Sequence, residues 1–232
     1  MKILANISWL FATTVIFVAL TILILIFYIV PTPYAPKTSA WIIRLSTFFR
    51  VDIDGEEDAD TDMFLINHQS DLDIAIMETI SKKDLAWVAK KELFDIPFFG
   101  FALKLPKDIP VQRESKTSLI KLLKDAKNRL DMGKTITMFP EGTRSTKGKM
   151  LPFKSGAKVI ADKYKLLVQP VVLMQTSKYY NIKKFYYKPG RIKVIYMDSF
   201  IADRSDKDWL KNLRVKMQEV YDNELANNPS HR

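Results

Sequence analysis

Cysteine is absent from this chain of 232 residues. That excludes disulfides, cysteine nucleophiles and thiolate metal sites. Histidine is almost absent: His68 and His231 are the only two, and the second lies in a polar terminus of the kind that frays. Two distant imidazoles without clustered ligand spacing give no reason to expect a bound metal. No Gly-x-Ser-x-Gly elbow, internal repeat or low-complexity segment occurs. Charge is missing from Ile3 to Val30, and the 21 mostly apolar positions from Leu10 to Val30 could cross a hydrocarbon core about 30 Å thick. The run is long, and Pro31 to Pro36 lacks a small-residue cleavage pattern, so a cleaved leader is disfavoured.

Residues 37 to 50 then read as a second, amphipathic helix, with Trp41, Ile42, Ile43, Leu45, Phe48 and Phe49 apolar and Lys37, Arg44 and Arg50 basic. Two placements fit: a spanning helix with its basic flank cytoplasmic, or a hairpin dipping into one leaflet. Either way residues 1–50 are expected to anchor the chain and residues 51–232 to form a domain on the cytoplasmic face of the inner membrane. Lys2 is the only charge before Lys37, so the remainder holds 36 − 1 = 35 basic against 26 acidic residues. Such a balance favours anionic lipid. Nucleic acid ranks low, since the lysines are scattered and no nucleic-acid motif is present.

What the chain does have is concentrated in two stretches. Met63 to Ile66 is an apolar run of strand type, followed by Asn67, His68, Asp71 and Asp73. His68 is nearly the only side chain able to move a proton near neutral pH without a large pKa shift. Asp71 and Asp73 both stand as candidates to orient it, with Asp73 needing His68 on the turn before a helix. The alternative reading is a plain helix cap. The second stretch, Thr135 to Ser145, is a β-rich run that ends in Phe139-Pro140-Glu141-Gly142-Thr143-Arg144-Ser145. A turn with backbone N–H groups and a guanidinium suits a phosphate.

Together the stretches resemble the glycerolipid acyltransferase family, whose signature is a His-x4-Asp motif followed by Phe-Pro-Glu-Gly-Thr-Arg-Ser. Both are matched letter for letter, and the likeness runs over roughly residues 60 to 200. The resemblance implies transfer of a fatty acyl group from a thioester, acyl-CoA or acyl-carrier protein, to the free hydroxyl of lysophosphatidic acid, giving phosphatidic acid without a cofactor. It makes His68 the base and Asp73 its orienting partner. Glu141 would orient the glycerol hydroxyls. Arg144, Arg113 and the Gly142 and Thr143 N–H groups would hold the phosphate. A hydrolase using the same histidine and a non-catalytic lipid-binding protein are the rival readings.

Strands alternating with helices indicate an α/β domain, and the resemblance implies a mixed central sheet flanked by helices. Strands are expected at Met63–Ile66, Leu85–Ala89, Leu167–Met174 and Arg191–Met197, the third an edge strand or strand start because it contains Pro170. Asp52 to Asp62 reads as a connection. Helical spacing recurs from Leu119 to Leu130, from Lys154 to Tyr164 and from Asp206 to Asn227. Lys90 to Lys104, crowded with aromatics, reads as core packing or as the lining of an acyl-chain tunnel, with Lys90 or Lys91 near the phosphate.

Overall fold

A computed structural model describes residues 40, 44, 48–97, 99–112, 116–145, 148–181 and 186–227. Its elements in chain order are β1 (Arg50–Asp54), β2 (Met63–Ile66), α1 (Leu72–Ile80), β3 (Leu85–Lys90), α2 (Lys91–Phe94), α3 (Phe99–Lys104), β4 (Ile109–Val111), α4 (Lys116–Asp131) and β5 (Thr135–Met138). They continue with α5 (Ser155–Tyr164), β6 (Leu167–Leu173), α6 (Thr176–Tyr179), β7 (Tyr180–Asn181), β8 (Tyr186–Tyr187), β9 (Arg191–Tyr196), β10 (Phe200–Ile201) and α7 (Trp209–Asn227).

The main sheet is mixed, with order β1-β9-β6-β2-β5-β3-β4 and β10 paired to β6. Strands β6, β2, β5, β3 and β4 run parallel to one another. Strand β9 opposes β6, and β1 runs with β9. Two-residue alternation along β2 divides the core: Met63 and Leu65 face one layer, Phe64 and Ile66 the other. The first layer contains Leu122 and Ala126 of α4, Ala157, Ile160 and Ala161 of α5, and Trp209, Leu213 and Met217 of α7. The second is covered by Leu72, Ile76 and Met77 of α1 with Phe49 and Tyr179. All four residues of β2 and of β5 are buried, as expected for central parallel strands covered on both faces.

Several sequence expectations are corrected. The expected N-terminal membrane helix or two-helix hairpin is not supported: among the described residues no helix is long and apolar enough to cross a membrane. The longest, α7, carries Lys211, Arg214, Lys216, Glu219, Asp222 and Glu224. The apolar run 3–30 itself lies outside the described residues. Arg50, assigned to the amphipathic helix, instead opens β1, so the start of the expected Asp52–Asp62 connection is an edge strand registered against Arg191 to Ile195 of β9.

Strand β6 is central, not an edge. Pro170 pairs with Leu65 on one side. On the other side it falls between Val168, the last partner of β10, and Val171, the first partner of β9. Its carbonyl accepts from Met197 N–H across that gap at 3.0 Å. A strand residue directs its N–H and C=O to the same side, so the donor that proline lacks would have pointed into the same break in the ladder. Finally, among the described residues of the aromatic stretch 90–105, Phe94 and Gly100 alone are buried, while Ile96, Phe99, Phe101 and Leu105 are exposed; core packing therefore describes only part of it.

Candidate active site

Parallel neighbours β2 and β5 end side by side, so the loops that follow them meet at one edge of the sheet. Asn67, the first residue beyond β2, is clamped to β6: its side-chain amide donates to the Leu173 carbonyl at 2.9 Å and accepts from Leu173 N–H at 2.7 Å. That fixes where His68 leaves the strand. Helix α1 begins after Asp71, whose side chain makes no cap bond.

Asp73, fully buried, is the partner of His68. Its Oδ2 accepts from His68 Nδ1–H at 2.8 Å and from the N–H groups of Gln69 and Ser70 at 2.7 and 2.9 Å. Its Oδ1 accepts from the Thr176 hydroxyl. A buried carboxylate needs such donors to offset its desolvation. With Nδ1 as donor, Nε2 keeps its lone pair, which is the tautomer a general base requires. The imidazole stacks on Phe139 at 3.8 Å between ring centroids, and Phe139 stacks in turn on Trp87 at 5.2 Å. The His68 side chain remains 14% exposed, enough for a substrate to reach one edge of it.

The second loop is bound to the first along its backbone. Glu141, buried, accepts from His68 N–H through Oε1 at 2.9 Å and from Leu151 N–H through Oε2 at 2.7 Å. Burial pushes its carboxyl above the usual range, and the two N–H groups pull it back. Ser145 N–H donates to the His68 carbonyl at 2.7 Å. Gly142, at φ +69°, turns the chain in the left-handed region that glycine enters without strain. Its N–H donates to the Phe139 carbonyl at 2.9 Å, closing the turn. Thr143 is exposed and Arg144 half-buried. Arg144 forms an ion pair with Asp71. The two acids left open by the sequence thus separate: Asp73 serves the imidazole, Asp71 the guanidinium. Tyr180 lies close to that pair; burial pushes its phenol up, the Asp71 charge adds to the effect and Arg144 opposes it.

Of the expected site residues, His68, Asp73, Glu141, Gly142, Thr143 and Arg144 gather at this edge, and Arg113 lies outside the described residues. Lys90 ends β3 at the same edge. Sequence reasoning missed Asn67, Phe139, Thr176 and a link between Gln69 Nε2 and the Tyr221 hydroxyl at 3.0 Å. Phe139 stood inside a recognised motif. Thr176 and Tyr221 reach the site across 103 and 152 residues of chain and leave no local signal. Among the described residues no group of three or more His, Asp or Glu side chains is arranged to hold a metal ion.

Comparison with known proteins agrees with this geometry. The Acyltransferase family matches residues 50–174. A 1-acyl-sn-glycerol-3-phosphate acyltransferase of Helicobacter pylori is 40% identical over 168 residues, covering 72% of this chain and 71% of that protein. The protein of the same name from Escherichia coli is 26% identical over 189 residues, covering 79% and 76%. A chloroplastic relative from Arabidopsis thaliana is 33% identical, and the match spans 44% of its length. In fold, the chain is similar to the crystal structure of the 1-acyl-sn-glycerophosphate acyltransferase of Thermotoga maritima, with a TM-score of 0.72 at 22% identity, covering 98% of this chain and 97% of that one. With its His-x4-Asp pair assembled and its sequence matched over more than half its length, this chain is an acyltransferase and belongs to the glycerolipid acyltransferase family.

Proposed function

We propose that the enzyme transfers a fatty acyl group from acyl-CoA or acyl-carrier protein to the free hydroxyl of lysophosphatidic acid, yielding phosphatidic acid. The observation that carries this reading is the meeting of the Asp73-oriented His68 with the Arg144 turn at one edge of the sheet, a pairing of base and guanidinium that would suit a hydroxyl and its anionic headgroup. His68 Nε2 takes the hydroxyl proton as that oxygen attacks the thioester carbonyl. The new C–O bond forms, the C–S bond breaks, and the imidazolium returns the proton to the leaving thiolate. Asp73 holds the tautomer and stabilises the imidazolium. The chain has no cysteine, and no serine elbow is recognisable in it, so transfer is direct.

Arg144, joined by Arg113, takes the phosphate when Asp71 releases it, and the bidentate fork of an arginine suits that anion. Thr143 contributes its turn N–H. Glu141 and Gly142 act on the acceptor through the loop they shape, because Glu141 already accepts two backbone N–H groups and Gly142 donates its own to the turn. Residues 51–232 constitute the acyltransferase domain, residues 1–50 associate with the inner membrane, and the domain faces the cytoplasm. The names of the bacterial and plant relatives support the acceptor.

The test is a donor–acceptor matrix with purified full-length protein in detergent, pairing acyl-CoA and acyl-carrier protein with lysophosphatidic acid and with lysolipids bearing other headgroups. Lysophosphatidic acid should be preferred by kcat/KM. Equal turnover of a lysolipid without a terminal phosphate monoester would remove the acceptor assignment, and release of free fatty acid without an acceptor would make the protein a hydrolase.

A further inference from the structure

The segment between β3 and β4 has an unusual surface for a domain in water. Phe99 and Phe101 are 48% and 50% exposed, and Ile96 and Leu105 are also exposed. Leu105, the first residue beyond α3, lies one turn from Phe101, with its N–H donating to the Phe101 carbonyl. Around them stand exposed Lys90, Lys91, Lys104 and Lys107 against exposed Glu92 and Asp95, a local balance of 4 − 2 = +2. Aromatics on a short helix rimmed by lysines form the pattern of an interfacial lipid contact.

The segment is built to hold this shape. Gly100 is buried against α2, where a Cβ would come 2.2 Å from the Phe94 carbonyl oxygen. Its N–H donates to the Ile96 carbonyl at 2.8 Å. Topology places the segment with the site, because it follows the C-terminal end of β3, two strands from His68 in the sheet order β2-β5-β3. Exposed Leu119 and Ile120, in the first turn of α4, start from the same edge, after parallel β4. Strands β1 and β9 run the opposite way, so Arg50 and the 76%-exposed Phe48 enter the sheet there too. The described chain that leads into β1 therefore enters the sheet on the catalytic side.

We infer that the α2–α3 segment is a membrane-docking surface: Ile96, Phe99, Phe101 and Leu105 enter the interface of an anionic bilayer, and the neighbouring lysines face its headgroups. The catalytic edge then lies against the surface from which a lipid acceptor arrives; only this last consequence rests on the acyl-transfer reading.

A chain without cysteine makes the test direct. Phe101→Cys and, separately, Phe99→Cys are labelled with an environment-sensitive fluorophore in the full-length protein. Each is reconstituted with phosphatidylcholine vesicles containing phosphatidylglycerol and a spin-labelled lipid. Arg204→Cys is the control, in the exposed turn beyond β10 at the opposite edge. The labels at 101 and 99 should be quenched several-fold more strongly than the control. Adding Lys91→Glu and Lys104→Glu should reduce that difference several-fold. Quenching no stronger than at 204, with the protein on the vesicles, overturns the inference. No turnover is needed for this measurement, so failure of docking and failure of acyl transfer are separate results. In the kinetic arm, Phe99→Ser with Phe101→Ser should raise KM for an acceptor presented in vesicles several-fold and leave turnover of a monomeric short-chain acceptor unchanged. An equal fall for both acceptors would make these residues part of the acyl-chain site and would also overturn the inference.

Discussion

The two nitrogens of His68 have separate duties, and substitutions can separate them. His68→Ala removes the base, and acyl transfer should fall by about 10²–10⁴-fold with the circular dichroism spectrum unchanged. Asp73→Asn puts an amide where Nδ1–H needs an acceptor and disfavours the productive tautomer. It should lower kcat by about 10²-fold or more with little change in KM. Activity within a factor of about ten of the parent for His68→Ala would end the base assignment. Arg144 and Asp71 form a second testable pair. Arg144→Ala should raise the acceptor KM by about tenfold or more, as expected for loss of a charge-assisted contact. Asp71→Asn should lower it by no more than about fivefold, because a half-exposed ion pair of this kind is worth at most about 1 kcal/mol. A rise in KM for Asp71→Asn would mean that the carboxylate helps to hold the acceptor. At this scale the sequence was informative: residue types and spacing singled out His68 and the Arg144 turn, and the family resemblance pointed to Asp73. Spacing alone could not divide the labour of Asp71 and Asp73, because that depends on how the turn before α1 aims each side chain.

Among the elements, β3 is held by a buried acid that stands just before β4 and is unconnected to the chemistry. Asp108 accepts from Trp87 N–H at 2.9 Å, and burial pushes its carboxyl well above the usual range, with the nearby Glu78 adding to the effect. A carboxyl whose pKa is raised by folding costs stability as pH rises from its unfolded value through its folded one. Asp108→Asn keeps an acceptor for Trp87 and removes the charge. It should therefore raise Tm at about pH 7.5 and leave it unchanged near about pH 3, where the unfolded carboxyl is itself largely protonated. A thermal melt series across that range checks the sign, and a loss of stability at the higher pH would show that the charge is favourable. Most strands and helices could be placed from periodicity, because apolar runs such as Met63–Ile66 and Leu167–Leu173 are long enough to show it. Strand β1 could not, since Arg50 to Asp54 pairs only at an edge and reads as an acidic, polar connection. Nor could the central place of β6, because the break that accommodates Pro170 is made by two other strands.

Across the whole molecule, α7 reaches back to the catalytic loop. The Tyr221 hydroxyl accepts from Gln69 Nε2 at 3.0 Å, and Gln169 Nε2 ties β6 to the Glu56 and Met197 carbonyls. Tyr221→Phe leaves the buried Gln69 amide donor without its acceptor, a cost of about 1–3 kcal/mol. Tm should fall accordingly. Because Gln69 adjoins His68, kcat should fall more than acceptor KM changes. An unaltered kcat with a lowered Tm would confine α7 to a purely structural role. Links of this length are what sequence reasoning cannot see, since nothing local to Tyr221 announces a partner 152 residues away.

The direction of the strands has a practical corollary. Arg50 enters at the rim that carries His68, and α7, beginning after β10 at the far rim, climbs back until Tyr221 touches the catalytic loop. Arg50 and Tyr221 therefore both lie on the catalytic side, and the remote rim is made of internal turns such as Asp203 to Ser205. A fluorescent protein, affinity handle or surface tether spliced into that remote turn would leave the approach of substrate clear.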